Sequence, residues 1–265
     1  MHPTFGRIVL PDDSQLDQDA EFADVEIDGE LRRFRLHDYP ELYAVRGLYE
    51  TLIYDRLECC SPSRVVGLLE EVLDEFGADP AALRVLDVGA GNGMAGDELD
   101  ALGVERIIGM DIVPSAREAA LRDRPGVYDE YLIADLARLS EADEKRLRSA
   151  RLNCLVTVGA LGFGDIPPGA FAKALDLVST GGWLAFNIRD GYLHDRDRTG
   201  FAALVQSLSR QRITQVQALR RYRHRVSVAR EPLYYVAMVA RKLRDLPDEI
   251  MEQWVEDTAD DETES

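Results

Sequence analysis

Three aspartates and a run of glycines carry the most specific chemical signal in this 265-residue chain. The stretch Val85-Leu86-Asp87-Val88-Gly89-Ala90-Gly91-Asn92-Gly93 sets an acid just ahead of a GxGxG turn. Glycines there let backbone pass close to a bound molecule, and a helix starting after them presents free N–H groups to it. A dinucleotide-binding fingerprint would want a third small residue at position 94, where this chain has Met94. Asp87 would repel a pyrophosphate, yet it can receive a cationic amino-acid head group, directly or through water. Asp111, in Ile108-Gly109-Met110-Asp111, is placed to accept from ribose hydroxyls, and Asp135, in Ile133-Ala134-Asp135-Leu136, from an adenine amino group. Steps of 24 residues separate the three acids. That is about one strand–helix unit each, which brings all three to the carboxyl edge of one parallel sheet, where such folds bind ligands. Asp111 and Asp135 also have a plain structural use, capping the turn that follows.

The elements that must deliver these residues follow from periodicity. Strands are predicted at 83–88, 106–110, 131–134, 152–158 and 183–188, alternating with helices at 94–102, 114–121, 140–150 and 168–178. Such alternation argues for right-handed crossovers and a parallel sheet covered on both faces. A helix near 198–209 precedes two β-rich runs, 213–228 and 233–239, whose short connection Arg230-Glu231-Pro232 makes them antiparallel. Upstream, Asp28-Gly29 lies between two apolar-bearing runs and predicts a hairpin, although Leu31 and Phe34 are three apart and spoil the alternation. One helix is predicted from Pro40 to about Leu57, broken by Ser61-Pro62-Ser63, and a second at 64–76. The chain thus divides into an acidic N-terminal segment with a hairpin and helical lid (1–80), the sheet domain (81–244) and an acidic, flexible tail (245–265).

The formal net charge of −18 is segregated. Nine acids and no base lie between Ile8 and Leu31, and ten acids and no base from Asp245 to Ser265. Without those 19, the remainder holds 30 acids against 31 bases. This is neither a uniform acidic coat nor the basic surface of a general nucleic-acid binder, so nucleic acid is not an expected partner. Hydrophobic residues at 46% and charged residues at 30% exclude whole-chain disorder. The first ten residues lack a long apolar run, and the most apolar stretch, 152–163, is too short for a bilayer and interrupted by glycine. A cytoplasmic location without a membrane partner is expected. Cys59, Cys60 and Cys154 lack CxxC spacing and histidines number only 4, so neither a disulfide framework nor a metal site is expected.

Taken together, these residues resemble the class I S-adenosylmethionine (SAM) methyltransferases over roughly 83–241. The resemblance implies an α/β, Rossmann-like, seven-stranded, mostly parallel sheet of order 3-2-1-4-5-7-6, with helices on both faces, an antiparallel terminal hairpin and an N-terminal helical cap. It implies SAM as cofactor across the switch point and S-adenosylhomocysteine (SAH) as product. Carried over residue by residue, Gly89, Ala90 and Gly91 lie against the methionine moiety, with Asp87 near its head group. Asp111 holds the ribose, Ile112 packs on adenine, and Asp135 with Leu136 frames the adenine edge. Val158 and Gly159 complete the cofactor set, and Ala160 faces the acceptor. The segment Val156-Thr157-Val158-Gly159-Ala160-Leu161 further resembles methyltransferases similar to the one encoded in the Williams-Beuren deletion region.

A sulfonium methyl is already activated, so alignment and exclusion of water carry most of the task; positioning alone supplies about 7–11 kcal/mol. A base matters only for an acceptor protonated at working pH. His194, in the loop after the fifth strand of the sheet, is the candidate base, set against a solvated histidine beside Asp195. Arg189, which opens that loop, is a candidate substrate contact. His224, in Arg220-Arg221-Tyr222-Arg223-His224-Arg225, reads as part of a solvated strand face, which could receive an acidic substrate or the acidic tail. Asp165 reads as a loop acid near the methyl donor or a helix cap. Tyr43, Tyr49 and Tyr54 are candidate walls of an acceptor pocket, or ordinary tyrosines of a docked amphipathic helix. No Asn/Asp-Pro-Pro-aromatic tetrad follows strand four, which weighs against base-amine and glutamine-amide acceptors. The expected function is methyl transfer to a small molecule. The alternatives are a SAM- or SAH-binding partner protein without turnover, and a protein or RNA methyltransferase. A nicotinamide-dependent oxidoreductase is disfavoured by Met94 and Asp87.

Overall fold

The computed structural model describes residues 4–11, 16, 18–161, 166–193, 200–247 and 254. Near the N-terminus, β1 (Phe5–Val9), β2 (Phe22–Ile27) and β3 (Glu30–Arg35) form an antiparallel sheet in that order. In β2 the alternation is strict, with Ala23, Val25 and Ile27 buried. Asp28 and Gly29, at φ 51° and 90°, make the two-residue turn that pairs Ile27 with Glu30. The spoiled alternation of β3 has a simple cause: Phe34 is 1% exposed and Leu31 is 66% exposed, so only Phe34 belongs to the core. β1, which no pattern predicted, has no regular alternation of buried residues. Glu21 is a second departure from the sequence reading. Counted there among the N-terminal acids, it is 1% exposed and accepts from Arg225 Nη2 at 2.5 Å and from the Val228 N–H at 2.6 Å. This buried pair ties the N-terminal sheet to the far end of the chain.

The single helix predicted from Pro40 to Leu57 is interrupted. α1 (Tyr39–Ala44) ends where Val45 becomes extended, and Gly47 at φ 73° starts α2 (Leu48–Glu50), which runs into a π-helical turn, Thr51–Arg56. Leu42, Val45, Leu48, Leu52 and Leu57 are buried together all the same. Helical spacing therefore persisted across a bend that glycine permits, because both pieces face one core. Ser61-Pro62-Ser63 does not break a helix but opens one, α3 (Ser61–Phe76), where the missing proline N–H costs nothing.

The remaining strands are β4 (Arg84–Val88), β5 (Arg106–Asp111), β6 (Glu130–Ile133), β7 (Cys154–Thr157), β8 (Trp183–Arg189), β9 (Thr214–Val226) and β10 (Pro232–Lys242). Between them run α4 (Met94–Leu102), α5 (Pro114–Asp123), α6 (Glu141–Ser149), α7 (Pro168–Asp176) and α8 (Phe201–Arg210). The sheet order is β6-β5-β4-β7-β8-β10-β9. The first five are parallel, and β10 is antiparallel to both β8 and β9. Counted within this sheet, that is the 3-2-1-4-5-7-6 order with its reversed hairpin. Leu86 and Val88 pack on one face with Phe171 and Leu175 of α7 and Phe201 of α8. Val85 packs on the other with Val65 and Leu69 of α3 and Leu99 of α4. The strand period puts Asp87 on the α3 side. At the C-terminus, Leu246 and Trp254 are buried in the α7–α8 core, so the segment expected to be flexible holds two anchored residues. Among the described residues, no helix is long and apolar enough to cross a membrane.

Candidate active site

The strand order reverses between β4 and β7, and a cavity of about 190 Å³ opens at the carboxyl ends there. Gly89, Asp111, Asp135 and Val158 enter its lining from successive strand ends. Gly89 and Gly91 take φ values of +70° and +55°. A Cβ on Gly89 would stand 2.6 Å from Ala160 Cβ, and one on Gly91 2.6 Å from Tyr43 Oη, so both contacts require glycine. Gly89 lines the cavity, whereas Ala90 and Gly91 are buried behind it. Tyr131 donates to the Gly91 carbonyl at 2.6 Å, which holds the turn from below.

The three aspartates are brought to one edge but hold different positions. Asp111 lines the cavity; its Oδ2 accepts from the Gly91 N–H at 2.8 Å and its Oδ1 from the Val113 N–H at 2.9 Å. Burial pushes its pKa up, and those N–H groups oppose the shift. Asp135 also lines the cavity while capping the turn after β6 through the Ala137 N–H at 2.8 Å, so its structural use and its position at the cavity coexist. Ile112, 60% exposed, and Leu136, buried, stand beside them. Asp87 lies beneath the turn and outside the lining. It accepts from the Tyr128 hydroxyl at 2.8 Å, and its Oδ1 is buried without a partner. Burial pushes its pKa up to about 7, with Tyr128 opposing and Asp111 adding.

The N-terminal helices cover this edge. Tyr39, Tyr43 and Tyr49 line the cavity, and Tyr43 and Tyr49 have ring centroids 4.9 Å apart. Arg124 donates to Glu50 Oε1 at 2.7 Å and to the Asn92 carbonyl at 3.0 Å, while Arg122 donates to the Tyr43 carbonyl at 3.1 Å. These bonds pin α1 and α2 to the glycine turn and to α5.

A smaller cavity, about 70 Å³, shares Tyr39, Tyr49, Val158 and Gly159 with the first. Tyr54 lines this one rather than the larger. Its floor carries a buried polar network absent from the sequence reading. Asn187 Nδ2 donates to Ser61 Oγ at 3.0 Å and to the Tyr222 hydroxyl at 2.7 Å. Ser61 Oγ lies 2.6 Å from that hydroxyl and 2.5 Å from His224 Nδ1. The Gly159 N–H donates to Asn187 Oδ1 at 2.7 Å, which joins the network to the wall between the cavities. His224 is 7% exposed, so the solvated face expected of this strand is corrected: within the run from Arg220 to Arg225, only Arg220, Arg221 and Arg223 face out. Burial, aided by Arg225, holds the His224 pKa down at about 3 and the ring neutral. Arg189 lines neither cavity. His194 and Asp165 lie outside the described residues. The signal that would have found the network is Asn187, a lone amide within the apolar strand Trp183-Leu184-Ala185-Phe186-Asn187-Ile188.

A methyltransferase-domain family profile matches residues 63–233. No curated protein matches the chain in sequence. Among solved structures, the N-methyltransferase NodS of Bradyrhizobium japonicum WM9 with SAH is 16% identical, covering 79% of this chain and 98% of its own, with a TM-score of 0.53. Magnesium protoporphyrin IX methyltransferase of Synechocystis PCC 6803 with bound SAM is 15% identical over 68% of this chain and 79% of its own, at 0.47. At such identities the NodS likeness speaks for the fold alone. With the profile spanning more than half of its length, and with this sheet order, the chain belongs to the class I SAM-dependent methyltransferase family, whose methyl donor is SAM.

Proposed function

We propose that this protein transfers a methyl group from SAM to a small-molecule acceptor. The observation that carries the reading is the pair of adjacent cavities beneath the N-terminal helices, which share Tyr39, Tyr49, Val158 and Gly159 and of which the second is only about 70 Å³. A large substrate could offer that space no more than a narrow group. The larger cavity fits the cofactor. Gly89 leaves bare backbone at the lining, and beneath the turn Asp87 Oδ1 is a buried acceptor in want of a donor. Asp111 and Asp135 stand where hydroxyl and amino donors can meet carboxylate oxygens. Bound SAM supplies an electrophilic methyl group on a sulfonium centre.

The protein's own part is to orient and to exclude water. Gly89, Asp111, Asp135 and Ile112 would hold the cofactor, and Val158 and Gly159 would set the boundary between donor and acceptor. Tyr39, Tyr43 and Tyr49 close the mouth. Fixed positioning of donor and acceptor contributes about 7–11 kcal/mol, most of what a transfer from an activated methyl needs. The test is to incubate the protein with methyl-labelled SAM and a cell extract, then separate small molecules from protein and RNA. Label in a small molecule other than SAM, with SAH formed, is the expected result. Transferred label found solely in protein or RNA would reject the small acceptor, and SAM binding with no SAH formed would mark a binding protein without turnover.

A further inference from the structure

The smaller cavity has a polarity that follows from counting protons. On β9 the pairing passes from Arg225 opposite Leu233 to Arg223 opposite Tyr234, so His224 is the extra residue of a β-bulge. Bulges re-aim side chains and gather near functional sites. Asn187 Oδ1 accepts from the Gly159 N–H, which fixes the amide and makes Nδ2 the donor to Ser61 and Tyr222. Both hydroxyl protons then find partners in one arrangement: Tyr222 donates to Ser61, and Ser61 donates to His224 Nδ1. The reverse order would strand the Tyr222 proton in the interior without an acceptor. With Nδ1 accepting, the neutral ring carries its proton on Nε2, which makes no hydrogen bond to a described residue.

Gln18, also in the lining, donates through Nε2 to the Tyr235 hydroxyl at 3.1 Å, and its Oε1 is buried without a partner. Tyr235 stands next to both groups, since its ring centroid lies 4.0 Å from that of His224. The walls are aromatic, from Tyr39, Tyr49 and Tyr54. Arg225, the arginine among the described lining residues, is already paired with Glu21 at 2.5 Å, so an anion gains little there. The His224 donor, the Gln18 acceptor, aromatic walls edged by tyrosine hydroxyls and no spare arginine charge define a ligand.

Building on the reading of this site as a methyltransferase pocket, we propose that the smaller cavity binds the acceptor as a neutral hydroxylated aromatic ring. A carbonyl or ring-nitrogen acceptor of that ring meets His224 Nε2–H, and an O–H or N–H donor meets Gln18 Oε1. Stacking against tyrosines supplies the remaining contact.

Titration calorimetry on the full chain saturated with SAH tests this, using 4-hydroxy-2-pyridone, 3-hydroxypyridine and 4-hydroxybenzaldehyde as probes, with benzoate and toluene for comparison. At least one probe is expected to bind about tenfold tighter than either comparison compound, one neutral hydrogen bond's worth. Gln18→Leu should weaken that probe about tenfold while leaving SAH affinity unchanged. Should His224→Phe fail to fold, Gln18→Leu and nitrogen-resolved NMR of the wild-type imidazole still decide the matter. The spectrum is expected to show the Nε2-protonated tautomer. Benzoate or toluene binding as well as every probe, unchanged probe affinity in Gln18→Leu, or an Nδ1-protonated ring would each overturn the proposal. Failure of SAH itself to bind would instead remove the methyltransferase reading beneath it.

Discussion

The two cavities share a wall at Val158 and Gly159 but are assembled from opposite kinds of information. The larger takes Gly89, Asp111 and Asp135 from the ends of three neighbouring parallel strands, each held by bonds to nearby backbone. The smaller joins Gln18 to Tyr235 across 217 residues, Ser61 to His224 across 163, and Asn187 to Ser61 across 126. The proposed donor side is a repeated local unit, whereas the proposed acceptor side depends on docking the N-terminal segment against the C-terminal hairpin. A fold built this way can keep one cofactor site while its cap and hairpin vary the substrate.

That contrast can be broken experimentally. The largest effect is expected from Glu21→Ala, which leaves Arg225 buried and unpaired: urea denaturation should show a loss of about 3–5 kcal/mol. SAM affinity of the folded fraction should survive better than binding to the smaller cavity. A loss below about 1 kcal/mol would mean that the pair contributes as little as an exposed one. Next comes Gly89→Ala. A left-handed φ costs about 1–2 kcal/mol, and overlap with Ala160 adds about 1–3, so urea denaturation should show a loss of about 2–5 kcal/mol, with SAM bound more weakly in calorimetry as the turn shifts.

Asp87→Asn should separate stability from binding. A carboxyl whose folded pKa is raised to about 7 holds its proton more tightly when folded. Its stabilising contribution is full below the unfolded value near 4 and is lost as pH rises through about 7. The asparagine variant should therefore gain on the wild type with rising pH across that window, by at most about 1.4 kcal/mol per pH unit, in paired thermal melts. His224 acts in the opposite direction, costing stability as pH falls from about 6.5 towards 3, but it is common to both proteins and cancels. SAM affinity of the variant should fall about tenfold at pH 8, through loss of the charged partner. Equal SAM affinity would assign Asp87 to holding Tyr128 alone. The smallest effect is expected from Asp135→Ala, about 1 kcal/mol of local stability from the lost cap, with a modest loss of SAM affinity. No change in either would make its place at the cavity incidental.

The donor side was legible because its signals are short in sequence. The glycine turn and the acids at strand ends each lie within a few residues. Their spacing by whole strand–helix units determined where they converge. The acceptor side was not legible, for physical reasons that particular residues show. Arg225 in a run of arginines looks solvated until Glu21, 204 residues away, neutralises it. His224 escapes simple alternation because the bulge turns both it and Arg225 inward. The bend at Gly47 left helical periodicity intact, since both sides of the bend share a core. Asn187 alone was visible, as an amide where the strand asked for an apolar residue.

The central claim, a donor cavity beside a separate acceptor cavity, is tested most directly by a crystal structure of the full chain with SAH. The prediction is SAH in the larger cavity, with its adenosine between Asp111 and Asp135, its sulfur toward the Val158–Gly159 boundary, and the space beside His224 and Gln18 left open. SAH filling the smaller cavity, or its sulfur turned away from that boundary, would contradict the account.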